Sequence, residues 1–362
     1  MIAFSEFSTA WRDFLASKKI PPHLPGRALG WLNVAYIAWL LLLLAALEWW
    51  GERNWILSVL LYVPPQVWLL PLAVLIPASL WLRPRLCVAQ AACVFFVAFI
   101  FIRFHWHAKP RRDAGMFTLV TNNFGQNNRQ SLVPFLQEKD PDVIVLQETG
   151  NAAAWKRTYP ERFITGLGEF VIVSKFPIKT AALVREAAWL WGPTAARFEI
   201  SFNGRPLVIY SVHMPTPRRD FAKLSGIGLL KELLGKKRRR SDSRNYSESM
   251  AARIELAKKL RDVFAAEQQQ FVVAGDFNMP DRGYIYHLFA AQLTDAFAKS
   301  GRGWGLTFPG DTRNPLTGFG PWMRLDQIFA GKGWQPVYCQ AEPRRRSQHR
   351  AMVAIFRPME KP

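Results

Sequence analysis

The sequence predicts a mixed α/β domain, a sheet with helices packed outside it, preceded by a membrane-spanning region. Three observations predict this. Three long apolar stretches, almost without charge, fill the first part of the chain. From about residue 116 the pattern changes to short apolar runs separated by turn residues and helical segments. Strand candidates outnumber helix candidates, and some are adjacent in sequence, which argues for a mixed sheet.

In the N-terminal segment, 1–27, Phe4, Phe7, Trp11, Phe14 and Leu15 recur at helical spacing with Arg12, Lys18 and Lys19 among or just after them. This is the pattern of a helix lying on a membrane surface. Residues 28–104 hold the apolar stretches 28–50, 55–82 and 86–102. Each reaches or exceeds the roughly 17–25 residues needed to cross a bilayer, so three transmembrane helices are expected. Trp31, Trp49, Trp50, Trp55, Trp81 and Trp106 sit near their ends, as in interfacial belts. Pro64, Pro65, Pro71 and Pro77 must kink or break the second stretch, leaving carbonyls for neighbouring helices or Gln66 to satisfy. The first run starts too late and is too long for a cleavable signal peptide.

With the N-terminus inside, cytoplasmic Arg12, Lys18, Lys19, Arg27, Arg83 and Arg85 stand against Arg53, Arg103, Lys109, Arg111 and Arg112 on the other side. The first helix usually dominates, which favours a multi-pass bacterial inner-membrane protein with its later domain outside the cytoplasm. A linker, 105–115, leads to that domain, 116–358, with a basic insertion at 217–247. Strands are expected at 117–121, 143–146, 170–173, 197–202, 207–212, 271–274 and 327–330. Helices are expected at 130–138 and 248–268, the first capped by Asn128 or Ser131.

The net charge is +20, of which residues 113–362 carry +13. Such an excess predicts an acidic partner: nucleic acid, anionic lipid headgroups or a phosphorylated small molecule. The three cysteines show no disulfide framework and no zinc cluster.

Polar residues recur at strand ends. Asn122 and Asn123 follow the first strand, Gln147 and Glu148 the second, and His213 the run 208–212. Gly275, Asp276, Phe277 and Asn278 follow 271–274; Asp326 precedes 327–329; His349 precedes 351–356. Strand ends on one edge can bring all of these together. Two residues apart, Asp276 can accept a proton from water while Asn278 donates to an anionic oxygen without adding charge. That combination suits hydrolysis of a phosphate ester.

Seven pieces, 119–123, 142–148, 171–178, 211–213, 275–278, 325–328 and 347–349, occur in an order that resembles the endonuclease/exonuclease/phosphatase superfamily, the deoxyribonuclease I-like proteins. The resemblance covers about 115–358. It implies a four-layer α/β/β/α sandwich and a hydrolase that cleaves phosphodiesters with Mg²⁺, or Mn²⁺ in its place. It implies Glu148 as the principal metal carboxylate, with Asn123 beside it. Asp276 would orient or deprotonate the attacking water, and Asn278 would hold a phosphate oxygen. His349 would stabilise charge on the phosphoryl group, Asp326 would fix its tautomer, and His213 would be a second phosphate contact or acid. One position departs from the pattern: Gln348 stands where most members have aspartate. It can offer a carbonyl oxygen to the metal site but no charge.

Residues 218–240 hold nine basic and two acidic residues around the apolar 227–234 and end in a run of five basic residues. With Arg344, Arg345 and Arg346 near the last motif, this suits a lipid-borne phosphate at the bilayer. Nucleic acid is the alternative substrate, with Trp189, Trp191 and Trp322 available to stack on bases. A non-catalytic scaffold binding anionic headgroups is the third reading, resting on Gln348 alone.

Overall fold

The computed structural model describes residues 24–359, except 112, 114, 126, 127, 191, 222–245, 312–316 and 319. The expected surface helix before residue 24, Trp191 and most of the basic stretch lie outside the described residues. The chain divides into two compact units, Met1–Ala46 with Pro64–Arg103, and Leu47–Val63 with Phe104–Pro362.

Two helices of the N-terminal region, Leu24–Trp49 and Pro65–Leu82, are long and apolar enough to cross a membrane, where three were expected. Only 28% and 17% of their most apolar windows are buried, whereas the core helix of a soluble protein would be mostly covered. The third, Leu86–Phe101, has 16 residues, about 24 Å of helix at 1.5 Å per residue, against a hydrocarbon core of about 30 Å. The expected second stretch divides at Pro64, and Trp55–Leu60 becomes a separate short helix of the other unit.

Within the first unit, Tyr36 Oη donates to the Trp68 carbonyl at 2.9 Å. The buried Gln90 Nε2 lies 3.1 Å from the Leu75 carbonyl, 2.7 Å from Ser79 Oγ and 2.9 Å from Asn33 Oδ1, sharing its two hydrogens among the three. Gln66, the other donor expected there, is exposed.

The second unit is a sandwich of two sheets. One has eight strands in the spatial order His105–Trp106, Gly301–Gly303, Trp334–Ala341, Met352–Pro358, Phe117–Asn123, Val143–Gln147, Phe170–Ser174 and Phe163–Leu167. The other has six: Thr294–Asp295, Asp326–Ala330, Phe271–Asp276, Arg205–His213, Ala195–Phe202 and Ile178–Leu183. Both mix parallel and antiparallel pairs.

Strand alternation builds the layers, since successive side chains point to opposite faces. Phe117, Leu119, Val143 and Val145 pack between the sheets against Phe198, Ile209, Val272 and Ala274. Their neighbours Val120, Ile144 and Leu146 face outward onto Phe135, Leu136 and Trp155 of the helices Val133–Lys139 and Ala152–Thr158. On the other side Val208, Tyr210, Val212 and Val273 face Leu256, Leu260, Phe264 and Phe289 of Tyr246–Ala266 and Tyr284–Ala290. The order is helices, sheet, sheet, helices. Strands buried on both faces explain the near-continuous apolar runs in the sequence.

Two local expectations shift. Helix Val133–Lys139 has no side-chain cap at its first position; Ser131 Oγ accepts from Val133 N at 3.2 Å, and Asn128 instead accepts from Arg345. Within the expected linker, His105–Trp106 pairs with Gly301–Gly303.

Candidate active site

Backbone register assembles the site before any side chain is considered. In the six-stranded sheet His213 pairs with Asp276, and Asp276 with Asp326, so three functional residues lie in one row across adjacent strands. In the facing sheet Asn123 pairs with Gln147, and Glu148 follows directly. Gln147 Nε2 donates to Ser211 Oγ at 2.9 Å, a polar tie between the sheets.

Backbone exceptions mark the same residues. Gly275 adopts φ 149°, and a Cβ there would stand 2.0 Å from the Val212 carbonyl oxygen of the neighbouring strand, so only glycine fits before Asp276. Glu148 (φ 53°) and Asn278 (φ 47°) are two of the few non-glycine residues with positive φ. Such conformations cost energy and persist where surrounding bonds hold them. For Asn278 the bonds are explicit. Its N–H donates to Asp276 Oδ1 at 2.8 Å, and its carboxamide donates to the Met214 carbonyl at 2.9 Å and to Asp276 Oδ2 at 3.1 Å.

Asp276 Oδ2 is the hub. It accepts from Asn123 Nδ2 at 2.9 Å as well as from Asn278, and His349 Nε2 and His213 Nε2 stand 3.8 and 3.9 Å away. Each imidazole is backed by a carboxylate: His349 Nδ1 lies 2.9 Å from Asp326 Oδ2, and His213 Nδ1 lies 3.0 Å from Glu169 Oε1. Glu148 Oε1 accepts from Asn123 Nδ2 at 2.9 Å and is 3.5 Å from His213 Nε2.

Burial and charge act together here. Burial opposes a charge on His349, but Asp326 and Asp276 outweigh it and hold the imidazole up at about 9. Burial likewise opposes protonation of His213, yet Glu169 and Asp276 raise it above the ordinary histidine value. Burial, with Asp326 alongside, raises the Asp276 carboxyl, while both histidines pull the other way.

Two donor sets could hold a cation. Ligand atoms of Asp276, Asp326 and His349 all lie within 4.8 Å of one another. Glu148 and Asp276 offer carboxylate oxygens as an alternative, with Asn123 between them donating from Nδ2 to both and accepting at Oδ1 from Gly125 N. Beside it, a Cβ placed on Gly125 would stand 2.1 Å from Glu148 Oε2 and 3.0 Å from Asn123 Oδ1. Residue 125, lacking a side chain, leaves room for the Glu148 carboxylate beside the Asn123 oxygen. The oxygen set suits a hard divalent cation, whereas His349 and Asp326 are already engaged with each other.

Seven of the eight residues singled out from the sequence therefore converge. Gln348 does not join them: its main-chain carbonyl accepts from Gly310 N at 2.6 Å, and among the described residues no hydrogen bond ties its carboxamide to the cluster. Arg345, expected to attract polyanions, is 3% exposed and pairs with Glu342 at 2.7 Å. It also donates to Asn122 Oδ1 and the His349 carbonyl, so it shapes the His349 loop. Arg324 pairs with Asp295 at 2.6 Å, leaving Asp326 to His349. Sequence reasoning missed Glu169. It lies in the tight turn between Phe163–Leu167 and Phe170–Ser174, where a charged residue carries no signal of its own.

The chain belongs to the Endonuclease/Exonuclease/phosphatase family, whose sequence pattern matches residues 121–349. Members of that family are hydrolases acting on phosphoesters. No curated protein matches the chain. Among solved structures, an endonuclease/exonuclease/phosphatase family protein from Bacteroides thetaiotaomicron is similar at 15% identity and a TM-score of 0.48, covering 69% of this chain and 98% of that one. Humanized D. rerio TDP2 is similar at 16% identity and 0.47, covering 67% and 100%. An AP endonuclease from Archaeoglobus fulgidus is similar at 17% and 0.46, covering 66% and 99%.

Proposed function

We propose that the chain is a membrane-anchored, divalent-metal-dependent phosphoesterase that cleaves phosphodiesters by in-line attack of water. The observation that carries this reading is the convergence of two amides and two carboxylate-backed histidines on one buried oxygen, Asp276 Oδ2. Glu148, with Asn123 beside it, would hold Mg²⁺ or Mn²⁺. Such a cation supplies charge neutralisation on the phosphoryl oxygens.

The chain's own residues divide the remaining work. Asp276 Oδ2 orients the water and accepts its proton, with Asn123 holding the carboxylate in place. The Asn278 amide hydrogen that meets Asp276 is the one a phosphate oxygen can take over; the other stays on the Met214 carbonyl and keeps the side chain aimed. His349, protonated and fixed by Asp326, donates from Nε2 to a phosphoryl oxygen as charge grows there. His213, backed by Glu169, donates from the opposite flank to a second phosphoryl oxygen or to the leaving oxygen.

Anchoring rests on the two long apolar helices and on chain connectivity. Residues Leu47–Val63 fold with Phe104–Pro362, so both belong on one side of any bilayer the helices cross. The chain leaves Pro65–Leu82 on the other side and has to return through Leu86–Phe101, which can span if the bilayer thins locally. A cysteine-accessibility scan in sealed vesicles tests that path.

Full-length protein assayed on a bis-aryl phosphodiester with Mg²⁺ tests the chemistry. Activity lost in EDTA and in Asp276→Asn supports hydrolysis. A chain inactive toward every phosphoester would be a headgroup-binding scaffold instead. Plasmid DNA, phospholipid and phosphoinositide run side by side assign the substrate.

A further inference from the structure

The stretch between the two long apolar helices reads in the sequence as part of a membrane span, yet it folds with the sandwich. Its sequence explains why. Asn54 caps the short helix Trp55–Leu60, accepting from Ile56 N at 2.9 Å and Leu57 N at 3.2 Å. Glu52 is 2% exposed and accepts from Ile285 N at 3.2 Å. A Cβ on Gly283, at φ 91°, would stand 2.6 Å from Glu52 Oε2, so Gly283 leaves room for that carboxylate. Ser58 Oγ and Tyr246 Oη bond at 2.9 Å. These ties hold the segment against the helices Tyr246–Ala266 and Tyr284–Ala290.

The segment ends at the active site. Tyr62 Oη donates to the Asn278 carbonyl at 2.9 Å. The same carbonyl accepts from Arg253 Nη2 at 2.8 Å, and Arg253 Nη1 donates to the Pro215 carbonyl, two residues after His213. Arg253 is 1% exposed, on the helix Tyr246–Ala266. Trp322 Nε1 points to the Tyr62 carbonyl at 3.4 Å, and the Tyr62 ring meets Phe221 edge-on with centroids 5.1 Å apart.

Asn278 lies two residues past the end of the strand Phe271–Asp276, so its carbonyl has no ladder partner and takes donors from elsewhere. We infer that Tyr62 and Arg253 are positioning residues for Asn278, and that the segment Leu47–Val63 completes the catalytic unit rather than merely tethering it. This rests on the reading of Asn278 as a phosphate contact. Arg253 fixes the loop from the helix side and Tyr62 from the inter-helix segment. With both in place the carboxamide has one orientation toward Asp276. With either gone, the left-handed conformation loses part of what holds it, and the amide is misplaced at the reacting phosphate.

The test uses full-length protein in nanodiscs, a bis-aryl phosphodiester and saturating Mg²⁺. Tyr62→Phe should lower kcat about 5–10-fold, the loss expected of one hydrogen bond, with KM and the melting temperature nearly unchanged. In an Asn278→Ala background Tyr62→Phe should have no further effect, because no carboxamide remains to position. Hydrogen exchange at residues 276–280 should quicken in Tyr62→Phe. Arg253→Lys, which keeps the charge but not the fork to both carbonyls, should act in the same direction. Wild-type kcat in Tyr62→Phe, or an equal loss in both backgrounds, overturns the positioning role. Asp276→Asn serves as the control: if it is inactive while Tyr62→Phe is unaffected, only this inference fails. If Asp276→Asn keeps full activity, the phosphoesterase reading fails with it.

Discussion

Asp276 and Asp326 stand directly opposite one another on neighbouring antiparallel strands, both buried. Two carboxylates so placed repel, and the interior gives little screening. His349 relieves the conflict, with Nδ1 2.9 Å from Asp326 and Nε2 3.8 Å from Asp276. The imidazolium is therefore a structural counter-charge, and in the proposed mechanism it is also the donor to the phosphoryl group.

Removing that imidazole should be costly in turnover. His349→Ala is expected to lower kcat by at least about a hundredfold, the usual loss for one electrostatic stabiliser. Steady-state rates on the bis-aryl substrate measure it, and wild-type turnover in this variant would remove His349 from the mechanism.

Glu148→Ala should lower turnover on the same scale and raise the Mg²⁺ concentration needed for half-maximal rate. EDTA should abolish wild-type activity, and Mg²⁺ or Mn²⁺ should restore it. Full activity after exhaustive chelation would show that the oxygen cluster needs no cation.

Gly125→Ala tests the placement of the Glu148 carboxylate separately from the rest of the site. The new methyl would sit 2.1 Å from Glu148 Oε2, the mobile end of a side chain, so the fold can yield by displacing the carboxylate. Cation affinity should fall about 10–100-fold, as for other disturbed metal ligands, with little change in melting temperature. Isothermal titration with Mn²⁺ reads this directly; unchanged affinity would place the cation elsewhere.

Arg324 and Asp295 govern acid stability. The pair is almost wholly buried at 2.6 Å, and Asp295 also accepts from Tyr286 at 2.8 Å. Burial opposes the charge on Asp295, but the guanidinium outweighs it and holds the carboxyl below the usual range. A depressed folded pKa contributes stability above the unfolded value of about 3.9, and that contribution disappears as pH falls through the folded value. Asp295→Asn should therefore destabilise the protein by about 3 kcal/mol or more at pH 7, with the gap from wild type closing below about pH 4. Melting temperatures across that range decide it; a gap that persists in acid would refute the pair's role.

The sequence by itself placed seven of the strands along the chain, the family pattern and seven of the eight residues that meet in the site. It could do so because these depend on local signals: apolar runs and strand-end polar residues. The membrane count was less legible. Hydropathy sums composition over a window, and it read 55–82 as one stretch although Pro64 divides it and the first part packs on the sandwich. Only the tertiary structure decided that Glu169 backs His213, that Arg345 is buried in an ion pair, and that Gln348 stands apart from the cluster. Those roles depend on which side chain a neighbouring element presents, and no periodicity records it. Tyr62 is the clearest case: 216 positions before Asn278, its hydroxyl meets that carbonyl only when the two segments are folded against each other.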